Sequence, residues 1–194
     1  MKKVFIIIGI SLIIFVVAVV LLNRASGDSN TKKINDYVSS QGFKTTKDSL
    51  FYQKIKTNNT LDDYYNDVSN NKSSEYDEYY FSKDSYSFIE LRMIYKDEIN
   101  QLFNVTSDFT TNRINYNYEI SKDSSSIILD GTYIDGKISC NINKVNNLST
   151  KNVDSYCKLA ESYMNDFINE QNTLLSNNEF REAISQINGV VLDD

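Results

Sequence analysis

The hydrophobic positions of this chain follow three rhythms. From Val4 to Leu22 the residues are uncharged, and only Gly9 and Ser11 interrupt an Ile, Val, Leu and Phe texture. From Tyr79 to Lys144 apolar and polar residues tend to alternate, as in half-buried strands. From Asn152 onward the apolar residues step by three and four, as on one face of a helix. These rhythms predict a membrane segment, an antiparallel β-meander and a helical C-terminal part.

The first run spans 19 residues. At ~1.5 Å per residue, a helix of that length crosses most of a ~30 Å hydrocarbon core. A helix also satisfies every backbone polar group inside lipid. Lys2 and Lys3 precede the run and favour an inside N-terminus, although Arg24, Lys32 and Lys33 weaken the contrast. A cleaved signal peptide is the competing reading, with Ala25-Ser26-Gly27 as the small residues at a cut. The usual apolar core there is ~7–15 residues, so length favours an uncleaved anchor. The expected organisation is a cytoplasmic tail at 1–3, a transmembrane signal anchor at 4–22 and a linker at 23–31. A single extracytoplasmic α+β domain then covers 32–194. Cleavage near Gly27 would instead make the protein secreted. No cysteine stands near the segment's end to carry a lipid, and no Glu occurs before Glu75 to suit a type IV pilin signal.

Within the exported part, a helix is expected from Lys32 to Gln41, with Ile34, Tyr37 and Val38 as its apolar stripe. Gly42 and Phe43 match a glycine stop backed by a hydrophobic contact. A strand is expected within 43–56, around Leu50-Phe51-Tyr52. Thr60-Leu61-Asp62-Asp63 resembles a capping box and predicts a short helix through Val68. Asn70 to Glu78 reads as a polar, acidic loop.

In the β region, Ile114, Tyr116, Tyr118 and Ile120 alternate with Asn115, Asn117 and Glu119. Asp135-Gly136 predicts a two-residue type I′ hairpin, whose central positions both need φ > 0. That turn pairs Ile134 with Lys137, Tyr133 with Ile138, Gly131 with Cys140 and Leu129 with Ile142. Ile127, Leu129, Tyr133, Ile138, Cys140 and Ile142 then share one face. Lys-Asp-Ser recurs at 47–49, 83–85 and 122–124, and Lys96-Asp97-Glu98 holds a similar place; all read as turns of a meander. Between Tyr86 and Tyr95 the apolar parity switches near Phe88-Ile89, which predicts a bulge or burial on both faces.

A long helix is expected from Asn152 to Leu175, with Val153, Tyr156, Cys157, Ala160, Met164, Phe167, Gln171 and Leu174 on its core face. A second, from Asn178 to Asn188, buries Phe180, Ala183, Ile184 and Ile187. Gly189 ends it, and Val190-Val191-Leu192 is a candidate edge strand. The fold class is therefore α+β: an N-terminal transmembrane helix, then an antiparallel meander of about 5–7 strands with one face covered by the long C-terminal helix. The order of helix first and meander later resembles cystatin-like and NTF2-like sheets. That likeness is one of topology and implies no activity.

Composition narrows the chemistry. There is no His, Pro or Trp. Ser-His-Asp and Cys-His mechanisms and His-ligated metal sites are thereby excluded within the chain. Lys2, Lys3 and Arg24 lie in the acid-free first 24 residues. The rest carries 17 basic against 26 acidic residues, a net charge of −9. Such a surface argues against nucleic acid and anionic lipid as partners.

Cys140 falls on the inner face of a strand and Cys157 on the apolar stripe of the next helix. In an exported protein they are expected to form a disulfide, and the lack of C-x-x-C argues against redox or zinc chemistry. Ser155-Tyr156-Cys157-Lys158 matches the S-x-x-K of penicillin-recognising enzymes, but their S-D-N and K-T-G elements are missing. Asp62, Asp63, Asp67, Glu75, Asp77 and Glu78 lack EF-hand spacing and read as a solvated acidic loop. Glu90 and Arg92 share the strand parity opposite Ile89, Leu91 and Met93, and read as a ligand contact or an exposed ion pair. Tyr64, Tyr65, Tyr76, Tyr79 and Tyr80 form a candidate recognition surface, weighed against tyrosines that are simply core. Ile127, Leu129, Tyr133 and Phe167 would line a pocket if one opens between the sheet and the long helix.

The expected function is a non-enzymatic, membrane-anchored binding or scaffold domain in a bacterial cell envelope. Its expected attachment is the membrane through residues 4–22, with a protein partner and no cofactor, catalytic residue or metal ligand. A carrier of a small apolar or lipid-like ligand is one alternative. A carboxylate-dependent hydrolase is another, which requires two close acids in a cleft with opposed pKa shifts.

Overall fold

Local signals place the first elements. The computed structural model describes residues 29–109, 113–147 and 152–188. Helix α1 covers Ser29–Ser40, and Gly42 follows at φ +88°. The Phe43 N–H donates to the Val38 carbonyl at 3.4 Å, and the Phe43 ring is buried. This is the glycine stop with its hydrophobic contact. Helix α2 covers Leu61–Ser69 and opens on the predicted capping box. The Asp63 N–H donates to Thr60 Oγ1 at 3.1 Å, and the Thr60 N–H donates to Asp63 Oδ2 at 3.0 Å.

Among the described residues nine strands form one sheet: β1 (Lys44–Thr45), β2 (Phe51–Ile55), β3 (Ser74–Ser82), β4 (Ser87–Lys96), β5 (Ile99–Asp108), β6 (Arg113–Lys122), β7 (Ser125–Ile134), β8 (Lys137–Ile138) and β9 (Asn141–Asn146). The order is sequential from β1 to β8, every named pair is antiparallel, and β9 also pairs with β7. The expectation of about 5–7 strands is exceeded because β1 and β8 are two-residue ladders and β9 continues the last strand after a break.

The turns are those the polar tripeptides predict. Asp97 and Glu98 take φ +53° and +63° between β4 and β5, and Asp123 takes φ +53° between β6 and β7. Asp135 and Gly136, at φ +51° and +75°, set Ile134 opposite Lys137 and Tyr133 opposite Ile138. Leu129 pairs with Ile142 as expected, but Gly131 does not pair with Cys140, because the strand is interrupted at Ser139-Cys140. A register shift follows between Ile128 and Leu129. Ile142 lies at the sheet edge and stays 49% exposed, which corrects its expected burial. All six residues of β9 are exposed, and the irregularity beside Lys144 is the kind of feature that blunts a free edge.

β4 pairs continuously with β3 and β5, without a bulge. Its parity switch therefore reflects burial on both faces. One face carries α3 (Val153–Leu175), with α4 (Asn178–Asn188) and α1 packed against each other beside it. Ala160, Met164, Phe167, Gln171 and Leu174 of α3 are buried, as its stripe predicts. The other face is partly covered by α2, where Tyr64, Tyr76, Met93 and Tyr95 make a second core. Cover by the long helix on one face was expected, and burial on both faces was one of the two readings of the parity switch; that α2 supplies the second cover was not foreseen.

Of the loop expected over Asn70 to Glu78, only 70–73 is turn and irregular: β3 begins at Ser74, and Asp77 and Glu78 are buried on opposite faces of the sheet. The run from Val4 to Leu22 and the segment Val190–Leu192 lie outside the described residues. Among the described residues no helix is long and apolar enough to cross a membrane.

Candidate functional site

Cross-strand register assembles the main polar feature of the interior. β3 and β4 pair Asp77 with Arg92 and Tyr79 with Glu90, and all four side chains lie on the face beneath α3. The same rows continue into the core, with Phe103, Tyr118 and Leu129 following Arg92 across β5 to β7. Glu90 is 0% exposed, and Asp77 and Arg92 are also buried. This corrects the exposed ion pair expected for Glu90 and Arg92. Polarity suggested an outward face, but their parity is that of buried Tyr86 and Phe88.

Arg92 Nη2 donates to Asp77 Oδ2 at 3.1 Å and lies 2.9 Å from Glu90 Oε1. Arg92 Nη1 reaches Asp166 Oδ2 of α3 at 3.4 Å, and the guanidinium carbon lies 4.5 Å from the Tyr163 ring centre. Taken as carboxylates, Asp77 Oδ1 and both Glu90 oxygens have no hydrogen-bond partner, since the Arg92 contact with Glu90 is close but poorly aligned. A carboxylate cannot donate, so one proton shared between the two acids supplies the missing donor.

The electrostatics agree. Burial, and then the Asp77 charge and its bond, push Glu90 up to about 8 against the pull of Arg92. Burial also raises Asp77, opposed by Arg92 and by the bond from Glu90. Burial works against the Arg92 charge, but Glu90 and Asp77 outweigh it and hold the guanidinium protonated. Burial thus raises both acids, and Glu90, which also meets the Asp77 charge, is the one pushed up to about 8 beside the protonated Arg92.

Glu78, one residue from Asp77, points to the other face and accepts from three donors. Tyr76 and Tyr80 hydroxyls lie at 2.5 Å and 2.6 Å, and Gln53 Nε2 at 2.5 Å. At the rim of the first face, Lys54 and Lys56 clasp Glu170 of α3 at 2.5 Å and 3.1 Å. Burial would raise Glu170, but these two lysines win and hold it low.

The other candidates separate in space. Cys140 and Cys157 form the expected disulfide, with Cα atoms 5.8 Å apart. The space over Gly131 is taken not by Cys140 but by the Ser139 carbonyl and the Tyr116 ring. Tyr64, Tyr76 and Tyr79 are buried and Tyr80 half-buried, so of the five tyrosines only Tyr65, at 39%, is exposed. They do not share one surface, because β3 sends Tyr79 to one covered face and Tyr76 and Tyr80 to the other. Ile127, Leu129 and Phe167 belong to the main core, with Tyr133 packed against it. Phe167 stacks on Phe88 at 5.0 Å and lies 6.4 Å from Tyr79. Ser155 and Lys158 are both exposed near the start of α3. Asp62, Asp63 and Glu75 are exposed as expected of solvated acids, whereas Asp77 and Glu78 are not. Among the described residues no group of three or more His, Cys, Asp or Glu is placed to hold a metal ion.

Chemically, Asp77 and Glu90 meet the demand for two close acids. Both are buried beneath α3, and both are raised, not shifted in opposite directions. Comparison with known protein families, curated proteins and solved structures found no match for this chain.

Proposed function

We propose that this protein is a membrane-anchored, extracytoplasmic domain of a bacterial cell envelope that binds or scaffolds a protein partner and catalyses no reaction. Residues 4–22 would hold it in the membrane, with 1–3 inside and 32–194 outside as a single domain. The observation that carries the reading is the Cys140–Cys157 disulfide in a domain that follows an uncharged 19-residue apolar run. Bonds of this kind persist in oxidising compartments and are rare in the cytosol. The burial of both candidate acids beneath α3 supports the non-enzymatic part.

The test is topology in intact cells. A full chain carrying a C-terminal epitope should sediment with membranes and resist carbonate extraction. External protease should remove the epitope, and both thiols should resist alkylation until reduced. An epitope protected in intact cells and digested only after lysis, with two free thiols, refutes the proposal. A digestible epitope with a chain found in the medium points to cleavage near Gly27 and replaces the anchor by secretion.

A further inference from the structure

The buried cluster holds more negative than positive groups. β3 contributes Asp77 and Tyr79 and β4 contributes Glu90 and Arg92, while the facing part of α3 brings Tyr163, Asp166 and Glu170. β2 supplies Lys54 and Lys56, but both are drawn to Glu170 at the rim. β5 places only Phe103 and Val105 beside Arg92 and Glu90. Arg92 is thus the one guanidinium serving two interior carboxyl groups, with Asp166 a more exposed third. Neither oxygen of fully buried Glu90 has a donor, and one proton kept in the pair gives one of them a bond to Asp77.

Losing that proton leaves an uncompensated charge in the interior, which water must then reach. The strands cannot open cheaply, since β3 and β4 are paired continuously from Ser74–Tyr95 to Phe81–Phe88. α3 rests on the cluster through side chains alone: Tyr163 over Arg92, Asp166 beside it, and Phe167 on Phe88 and Tyr79. Near its start, α3 is fixed covalently through Cys157 to Cys140.

We propose that Glu90, set between Asp77 and Arg92 under the middle of α3, is a one-proton latch: protonated, it keeps α3 seated on the sheet, and deprotonated, it lets α3 lift from β3 and β4 while the disulfide holds its start. The sign follows from linkage. A carboxyl raised in the seated form favours seating below its ordinary value, and that advantage is lost as pH rises toward about 8. Lifting exposes the Asp77–Arg92 pair together with the aromatic strip of Phe88, Tyr79 and Phe167. The latch would regulate access to this face whichever partner the domain serves.

Amide hydrogen exchange on the full chain in mild detergent, from pH 5 to pH 9, tests it. After correction for intrinsic exchange, protection at Tyr163 to Phe167 should fall about tenfold per pH unit between pH 5 and 8 and then level, as one proton per opening requires. Amides of β5 to β7 should hold. Glu90→Gln, which cannot lose a proton, should keep α3 protected across the range. Asp77→Asn, which removes the competing acid, should make the fall level off at lower pH and so shrink it. A flat profile in the native chain overturns the latch, as does an equal fall in Glu90→Gln. If Glu90→Gln does not fold, an unchanged profile in Asp77→Asn overturns it equally.

Discussion

The guanidinium of Arg92 lies 4.5 Å from the ring centre of Tyr163, so a strand in the middle of the sheet and the long helix above it meet through a cation on an aromatic face. The same guanidinium carries Asp77 at 3.1 Å and Glu90 at 2.9 Å. One side chain thereby offsets the interior acids and seats α3. Arg suits this place better than Lys, because its planar fork reaches two carboxyl groups while its face stacks.

Arg92→Met is accordingly expected to destabilise the protein by about 3–5 kcal/mol, the usual cost of breaking a buried pair from one side. Arg92→Lys should recover only part of this, since an ammonium supplies charge without the fork. Urea denaturation at pH 7 measures both. An Arg92→Met protein within about 1 kcal/mol of the native chain, the range of exposed pairs, would show that the cluster is not an integral part of the fold.

Where a local signal determines structure, the sequence was readable. Thr60 and Asp63 cap each other through atoms three residues apart, and Asp135-Gly136 fixes the pairing of Tyr133 with Ile138 without outside help. The stripe from Ala160 to Leu174 needed only the helical period. The Asp77–Glu90–Arg92 cluster is different in kind. Each of its residues looks like a surface residue alone, and its burial comes from α3 covering this polar parity of β4, while the apolar parity of Ile89, Leu91 and Met93 faces the other side. The parity switch at Phe88-Ile89 carried that information, but the cover supplied by α2 was not visible in it. The acids of β3 misled for a related reason. Glu78 finds three donors on one face and Asp77 its guanidinium on the other, so a stretch with loop composition forms a strand.

Glu170 and Glu90 push the pH dependence of stability in opposite directions, with Asp77 and Glu119, both raised by burial, on the side of Glu90. Glu170 is held low by Lys54 and Lys56, so its contribution is present above its ordinary value and is lost as pH falls through the lowered one. Glu90 is raised, so its contribution is full below its ordinary value and is lost as pH rises toward about 8. The urea midpoint should therefore peak on the acidic side, near about pH 5, and decline toward pH 8. Glu90→Gln should flatten the alkaline limb, and Glu170→Gln the acid limb. A native midpoint that rises steadily from pH 5 to 8 would contradict the assignment of Glu90.

The disulfide closes a segment with a sequence separation of 17. Chain entropy assigns such a loop about 3 kcal/mol. Reduction, or the Cys140→Ser/Cys157→Ser pair of substitutions, should lower stability by roughly that amount. The loss should fall on contacts between α3 and β7 to β9, and leave the pairing of β3 with β4 protected. Comparing oxidised and reduced protein by urea titration and amide exchange checks both parts. Equal midpoints would mean that the bond adds nothing to the folded state.

Gly131 and Gly136 lie in one hairpin but are glycine for different reasons, and alanine at each should separate them. Gly136 has φ +75° with open space around it, so Gly136→Ala meets only the left-handed backbone penalty, about 1 kcal/mol. A Cβ at Gly131 would stand 2.0 Å from the Ser139 carbonyl oxygen and 2.5 Å from the Tyr116 ring. Neither neighbour can retreat freely. The Tyr116 hydroxyl donates to that same carbonyl at 2.9 Å, and Ser139 directly precedes the disulfide-bound Cys140. Gly131→Ala must therefore move the β8–β9 junction away from β7, at or above the ~1–3 kcal/mol of ordinary overpacking. It should also strain the attachment of α3, so exchange should quicken near Cys157 as well as in β8. Gly136→Ala should leave α3 untouched. Urea midpoints and exchange at the start of α3 decide the matter, and equal effects of the two substitutions would show that the close approach over Gly131 is not what requires glycine there.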